Sequence, residues 1–203
     1  MIAAVVLAAG QSRRMGRPKL LLPLAGRSVV RRVVENARGS ACGEIVVVLG
    51  EAEDRIAAEV RGPRVRVVTN ARFREGMGTS LAAGIAALPA DCEAAVVLLG
   101  DQPYVEASAI DALIDAYRRT GKPIIASRYG AVTGAPTLVG RALFDEARRL
   151  TGDVGGRLLM ERHPDLVAEV PLPPPAAADL DTPEDFARLK KRVEGDPPAT
   201  GGG

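Results

Sequence analysis

IAAVVLAAGQSRRMGRPK, residues 2–19, passes without a break from an apolar run into a loop of small and basic residues. The run carries no polar alternation, which is the pattern of a strand buried on both faces rather than one. It resembles the apolar segment of a leader only superficially: no basic region precedes it, and Arg13, Arg14 and Arg17 come after it. In the loop, Ala8, Ala9, Gly10 and Gly16 are small, and Lys19 adds a compact charge. Small residues let backbone N–H groups close on an anion, and an ammonium suits phosphate oxygens. The loop is therefore a candidate phosphate or nucleotide cradle made of Leu7, Ala8, Ala9, Gly10, Gly16 and Lys19, with Arg13 as a second cation. It is not a Walker A loop, because Lys19 lies three residues beyond Gly16 and Leu20 stands where a Ser or Thr would be required. From Gly10 the order GQSRRMG also lacks the dinucleotide spacing. Taken alone, a basic surface turn has the same composition.

Similar short apolar runs recur at residues 45–49, 65–68 and 94–99, and segments with helical spacing lie between them at 28–38, 51–60, 79–88 and 105–119. Alternation of this kind predicts an α/β domain with a mainly parallel central sheet and helices on both faces. Right-handed crossovers then bring the ends of the strands finishing at Leu7 and Leu99 to one sheet edge, where such folds bind ligands. Further strands at 124–127, 136–139 and 166–170 make the sheet mixed. Thr182, Pro183 and Asp185 form a capping-box-like start to a last helix ending near Val193. Residues 1–194 are expected to form one domain, and the glycine-rich tail 195–203 to be disordered.

The 203 residues include 27 basic and 25 acidic side chains, a formal net charge of +2 with no polybasic block, and 47% hydrophobic residues. That balance excludes global disorder and gives nucleic-acid binding no electrostatic support. Three tyrosines, three phenylalanines and no tryptophan leave little for base stacking. No run reaches the roughly 20 apolar residues of a membrane span. Cys42 and Cys92 are read as buried thiols in a reducing cytoplasm.

Four more segments carry chemistry. GDQP, residues 100–103, follows the apolar run 94–99 and puts Asp101 at the same edge as the Gly10 loop, where it suits either a hard divalent cation or a helix cap. Gly100 and Pro103 shape the turn. GMGTSLAAG, residues 76–84, leads from Gly76 into a helix start where Thr79 and Ser80 offer contacts to an anion or a ribose, or a plain cap. TGDVGGR, residues 151–157, reads equally as a substrate site through Asp153 and Arg157 or as a capped helix start. DLDTPED, residues 179–185, caps the last helix and also offers Asp181 as a partner for Asp101 around a metal ion. No Ser/His/Asp triad can be assembled around His163, the single histidine.

LAAGQSRRMGRPK, GMGTSL, GDQP, GDVGGR and DLDTPED occur in the order seen in nucleotidyltransferases of molybdenum cofactor maturation. Over residues 2–193 the sequence resembles the molybdenum cofactor cytidylyltransferases of the MobA-like NTP transferase group. The resemblance implies a Rossmann-like nucleotidyltransferase fold and transfer of CMP from CTP to molybdopterin, releasing pyrophosphate and giving molybdopterin cytosine dinucleotide. It implies that the LAAG loop and Gly100 hold the nucleotide with Lys19 on its phosphates, that Asp101 and Asp181 hold Mg2+, and that Gln102, Pro103, Gly134, Asp153 and Arg157 face the acceptor. Ala9 and Gln102 resemble the cytidylyl rather than the guanylyl branch. A molybdoenzyme or its chaperone would receive the product. The chain departs from the pattern at Leu20, where glutamine is common, and at Ala135, where histidine is common. A GTP-using relative, another phosphorylated acceptor, and a noncatalytic nucleotide or pterin carrier are the alternatives.

Overall fold

The computed structural model describes residues 1–10, 18–50, 53–173, 180 and 182–195. The first strand, β1 (Ile2–Ala8), is buried at every position. After it come a small hairpin of β2 (Pro23–Leu24) and β3 (Arg27–Ser28), then α1 (Val29–Gly39), β4 (Glu44–Leu49), α2 (Glu53–Val60), β5 (Val65–Thr69), α3 (Met77–Ala86) and β6 (Ala94–Leu99). The second half adds α4 (Ala107–Thr120), β7 (Ile124–Tyr129), β8 (Val132–Gly140), α5 (Phe144–Ala147), α6 (Gly156–Arg162), β9 (Val167–Pro171) and α7 (Pro183–Gly195). Seven strands make one sheet in the order β5-β4-β1-β6-β8-β7-β9. β8 runs against both its neighbours and the other pairings are parallel, so the mixed sheet expected from the sequence is the one observed.

Side-chain alternation divides the core. Ala4, Val6, Ile45, Val47, Val96 and Leu98 face α1, α2 and α4, while Ala3, Val5, Val46, Val48, Ala95 and Val97 face α3, α5 and α6. Each such valine, isoleucine or leucine removed from water contributes about 1.5–3 kcal/mol and each alanine less, so the uninterrupted apolar runs follow from a sheet covered on both sides. α3 comes close enough that a Cβ at Gly84 would stand 2.4 Å from Val5 Cγ1. α1 starts where the Ser28 hydroxyl accepts the Arg31 N–H, and its buried Val29, Val30, Val33, Val34 and Ala37 recur at helical spacing.

A third apolar cluster joins Leu22, Leu24 and Val29 to Leu180 and Leu189, and the Tyr104 hydroxyl donates to the Leu189 carbonyl at 2.7 Å. α7 begins with the reciprocal cap read in the sequence: Thr182 Oγ1 accepts the Asp185 N–H at 3.1 Å, and Asp185 Oδ2 accepts the Thr182 N–H at 2.9 Å. Residues 196–203 lie outside the described residues.

The chain moves from β1 to β4 and β5 on one side and then crosses to β6 on the other. That reversal opens a crevice beyond the strand ends, with Leu7 level with Leu99.

Candidate active site

The turn Lys19–Leu21 follows Pro18, whose backbone is extended, and buries Leu20 while Leu21 N–H bonds the Pro18 carbonyl at 3.1 Å. Anchoring Leu20 in the core presents Lys19 at the edge of the sheet. From the other side of the crevice, β6 ends in a turn held at both flanks. Gly100 N–H bonds the Leu7 carbonyl at 2.9 Å, and Asn36 of α1 donates to the carbonyls of Pro103 and Val105, each at 3.1 Å. A Cβ at Gly100 would come within 3.1 Å of the Leu7 oxygen, so a glycine lets the two strand ends approach. The two loops deliver Lys19 Nζ to 2.5 Å from Asp101 Oδ2, with side-chain exposures of 13% and 16%.

The pair lies in a cavity of about 340 Å³. Leu7, Ala9, Gly10 and Lys19 form one side of it; Leu99 and Asp101 come from the β6 end. The opposite side is Phe73, Gly76, Met77, Ser80 and Asp153. Its size and its mixture of apolar wall and few polar groups are those of a small-molecule site.

The opposite side is built by backbone contact. Gly76 precedes α3 at φ 109°, and a Cβ there would sit 2.2 Å from the carbonyl carbon of Gly152. Gly78 N–H bonds the Gly152 carbonyl at 2.9 Å. The 76–84 and 151–157 motifs, read separately in the sequence, are thus interlocked, and a side chain at Gly76 or Gly78 would run into the backbone of Thr151 and Gly152. Asn70, buried at the end of β5, ties the same region to the first turn of α3.

Beyond the cavity, Cys42, Cys92 and Glu146 are held by contacts of the fold. Burial pushes the Cys42 thiol up to about 11 and raises that of Cys92, consistent with inert core thiols. His163, with Arg162, bonds Glu146 and holds that carboxyl below its ordinary value.

Of the residues singled out from sequence, Leu7, Ala9, Gly10, Lys19, Gly76, Ser80, Asp101 and Asp153 line the cavity. Ala8 and Gly100 lie beside it in the strand ends. Gln102 is buried in the β6 turn, Pro103 is held by Asn36, and Gly134 lies within β8 with its carbonyl accepting from Thr137. Arg157 bonds Glu161 on the exposed side of α6, away from the cavity lining. Arg13, Gly16 and Asp181 lie outside the described residues. Phe73 and Asn70 belong to no motif seen in the sequence, and Met77 lies within the 76–84 motif without having been singled out there.

Among the described residues no three His, Cys, Asp or Glu side chains gather as a metal cage. Asp101, at the end of β6 in the cavity, is nevertheless a carboxylate of the kind magnesium takes singly together with water and substrate phosphates. Among the described residues no helix is long and apolar enough to cross a membrane.

Comparison with known proteins agrees with this architecture. Residues 4–167 match the MobA-like NTP transferase domain. Over 198 residues, 93% of this chain and 96% of the relative, the sequence is 31% identical to nicotine blue oxidoreductase of Paenarthrobacter nicotinovorans. It is 33% identical over 176 residues to the bifunctional protein GlmU of Sorangium cellulosum, of whose length it spans only 35%. The crystal structure of Rv0371c from Mycobacterium tuberculosis H37Rv superimposes with a TM-score of 0.81 at 32% identity, covering 94% of this chain and 97% of that one. Rv0371c has also been solved in complex with manganese. With its sheet order, its crevice and its match over residues 4–167, this chain belongs to the MobA-like NTP transferase domain family, and its function is of the nucleotidyltransferase type.

Proposed function

We propose that the protein transfers CMP from CTP to the terminal phosphate of molybdopterin, releasing pyrophosphate and giving molybdopterin cytosine dinucleotide, with Mg2+ as the metal. The observation that carries the reading is the meeting of Lys19 and Asp101, eighty-two residues apart, in a cavity at the crevice of a nucleotidyltransferase fold. The ordered motifs of the cytidylyl branch support the choice of CTP and of the acceptor. A molybdoenzyme or its chaperone is the receiving partner on this reading, and the setting is cytoplasmic.

The reaction is an in-line displacement. An acceptor phosphate oxygen forms a bond to the α-phosphorus of the nucleotide, the bond from that phosphorus to the bridging oxygen breaks, and pyrophosphate leaves. Two anions must be held together, so positioning and charge neutralisation supply most of the rate and no protein nucleophile is required. Gly10 at the cavity edge lets a phosphate approach its backbone, and Lys19 stabilises the pyrophosphate as charge moves onto it. In the free protein Lys19 and Asp101 satisfy each other. Incoming phosphate competes for the ammonium and leaves the carboxylate to a cation. Asp101 and Asp181 are the residues proposed to hold magnesium, which when bound would neutralise phosphate charge. Asp153, Gln102, Pro103 and Gly134 are proposed for the acceptor side, with Asp153 favoured by its place in the cavity, whereas Arg157, on the exposed side of α6, is left out of that role. Arg13 is proposed as a second phosphate contact.

The test is incubation of purified protein with magnesium, molybdopterin and each of CTP, GTP, ATP and UTP, scored for pyrophosphate. CTP-dependent release is the expected result. GTP preference overturns the cytidylyl assignment, and binding without turnover favours a carrier. The near full-length likeness to a protein named an oxidoreductase supports one second reading, redox chemistry in the same cavity. Oxidation of NADH or NADPH by an added dye, with no pyrophosphate released from any nucleotide, would favour it.

A further inference from the structure

We infer that Asn70 is a positioning residue that fixes Ser80 as a hydrogen-bond donor toward the nucleotide. The inference rests on the nucleotide reading of the cavity and concerns a residue that does not itself line it. Asn70 is 5% exposed, and its own N–H extends the sheet by bonding the Leu49 carbonyl at 2.8 Å. Its side-chain oxygen accepts the Arg72 N–H at 2.9 Å. With the oxygen occupied by a backbone donor, the amide nitrogen is forced to face the other way. It there donates to Thr79 Oγ1 at 2.9 Å and to Ser80 Oγ at 3.0 Å.

The two hydroxyls then differ in what they have left. Thr79 passes its own proton inward, with the carbonyls of Arg72 and Gly76 both at 2.9 Å from its oxygen. Ser80 accepts from Asn70, is 4% exposed and lines the cavity, and among the described residues its proton has no protein acceptor. A hydroxyl is ordinarily ambivalent, able to rotate and either give or take a hydrogen bond. Here one lone pair is engaged from behind by a buried amide, which turns the proton toward the cavity. Ser80 therefore reads an acceptor oxygen or ring nitrogen on the ligand and disfavours an amino group at the same place. A site built this way discriminates through the cost of leaving a buried donor unpaired.

The experiment is a double-mutant cycle on the full chain with Asn70→Asp and Ser80→Ala. The probe is whichever nucleoside triphosphate the wild type binds among CTP, GTP, ATP and UTP. Asn70→Asp keeps the oxygen that holds Arg72 but replaces the donor facing Ser80 with an acceptor, which draws the serine proton inward. Each single variant is expected to weaken nucleotide affinity about tenfold, raising KM more than it lowers kcat, and the double variant to be no weaker than Ser80→Ala. Additive losses, with Asn70→Asp costing the same when Ser80 is already alanine, would show that Asn70 only supports the fold and overturn the inference. If Asn70→Asp does not fold, Ser80→Cys, which puts a weak donor in the same place, decides the matter. It is expected to bind nearly as poorly as Ser80→Ala, and wild-type affinity overturns the inference. Failure of the wild type to bind any of the four nucleotides refutes the proposed function instead, so the two failures are distinguishable.

Discussion

The two sides of the cavity are made of different materials. On one side Lys19 and Asp101 meet as side chains, each carried by a short turn that the core and neighbouring backbone hold in place. On the other, Gly76 and Gly78 press their backbone onto Thr151 and Gly152, with Asn70 tying the loop to α3. The first side concentrates charge where a charged ligand is to be neutralised; the second provides shape. Substitutions on the first should therefore act through charge, so that removing both partners spares the fold but not turnover, whereas substitutions on the second should alter folding and turnover together.

The largest expected effects fall on the charged side. Lys19→Met and Asp101→Asn are each expected to slow transfer by a hundredfold or more, about 2.7 kcal/mol or above, by the scale of losing one charge-stabilising group. Each single change also leaves a mostly buried charge without its partner, so a fall in melting temperature is expected. The Lys19→Met/Asp101→Asn double variant is expected to recover that stability and none of the turnover. Recovery of both would reduce the pair to a structural salt bridge.

Next comes Gly76→Ala. The strain of a non-glycine residue at positive φ and the clash with Gly152 together are expected to cost about 2–4 kcal/mol, read as a fall in the denaturation midpoint. A variant as stable as wild type would show that the backbone side yields easily and that the contrast between the two sides is false.

A smaller effect is expected at Glu146, whose bonds to His163 and Arg162 join α5 to the end of α6, beyond the 151–155 loop. Its folded pKa is lowered from an ordinary 4.5, so its contribution is complete above about pH 4.5 and is lost as pH falls through the folded value. Glu146→Gln is expected to cost about 0.5–1 kcal/mol at pH 7, with the difference from wild type vanishing at the acid end of a stability profile. A constant difference across the profile would contradict that origin.

The smallest effect is a thiol signal. With Cys42 pushed up to about 11 and buried, alkylation at pH 8 is expected only through unfolding. It should remain at the wild-type rate in the Lys19→Met/Asp101→Asn variant and accelerate in Gly76→Ala. Equal acceleration in both would remove the distinction between the two sides.

Much of this arrangement was legible because period and punctuation survive in the sequence. The apolar runs at 2–7, 45–49 and 94–99 became β1, β4 and β6 with ends moved by at most one residue, since a strand buried on both faces leaves an unbroken apolar signature. The Thr182 cap was legible because both its partners lie within one turn. The β2–β3 hairpin was not, because each strand has two residues, too few to show a period, and its turn places Ala25 as well as Gly26 at positive φ. α3 begins at Met77, two residues before the expected start, because the interlocked backbone of Gly76 and Gly152 takes the place of a polar cap. Asn70 gave no signal, since its importance lies in hydroxyls nine and ten residues further on that only the fold brings back. Arg157, attractive beside three glycines, lies on the outward side of α6, where helix phase rather than loop composition decides its direction.

The most direct test of the central claim is a crystal structure with magnesium and a nonhydrolysable CTP analogue. The triphosphate is expected in the cavity beyond β1 and β6, with Lys19 released from Asp101 onto its phosphates and the cation on the Asp101 carboxylate. A triphosphate seated elsewhere, with the Lys19–Asp101 pair still closed, would contradict it.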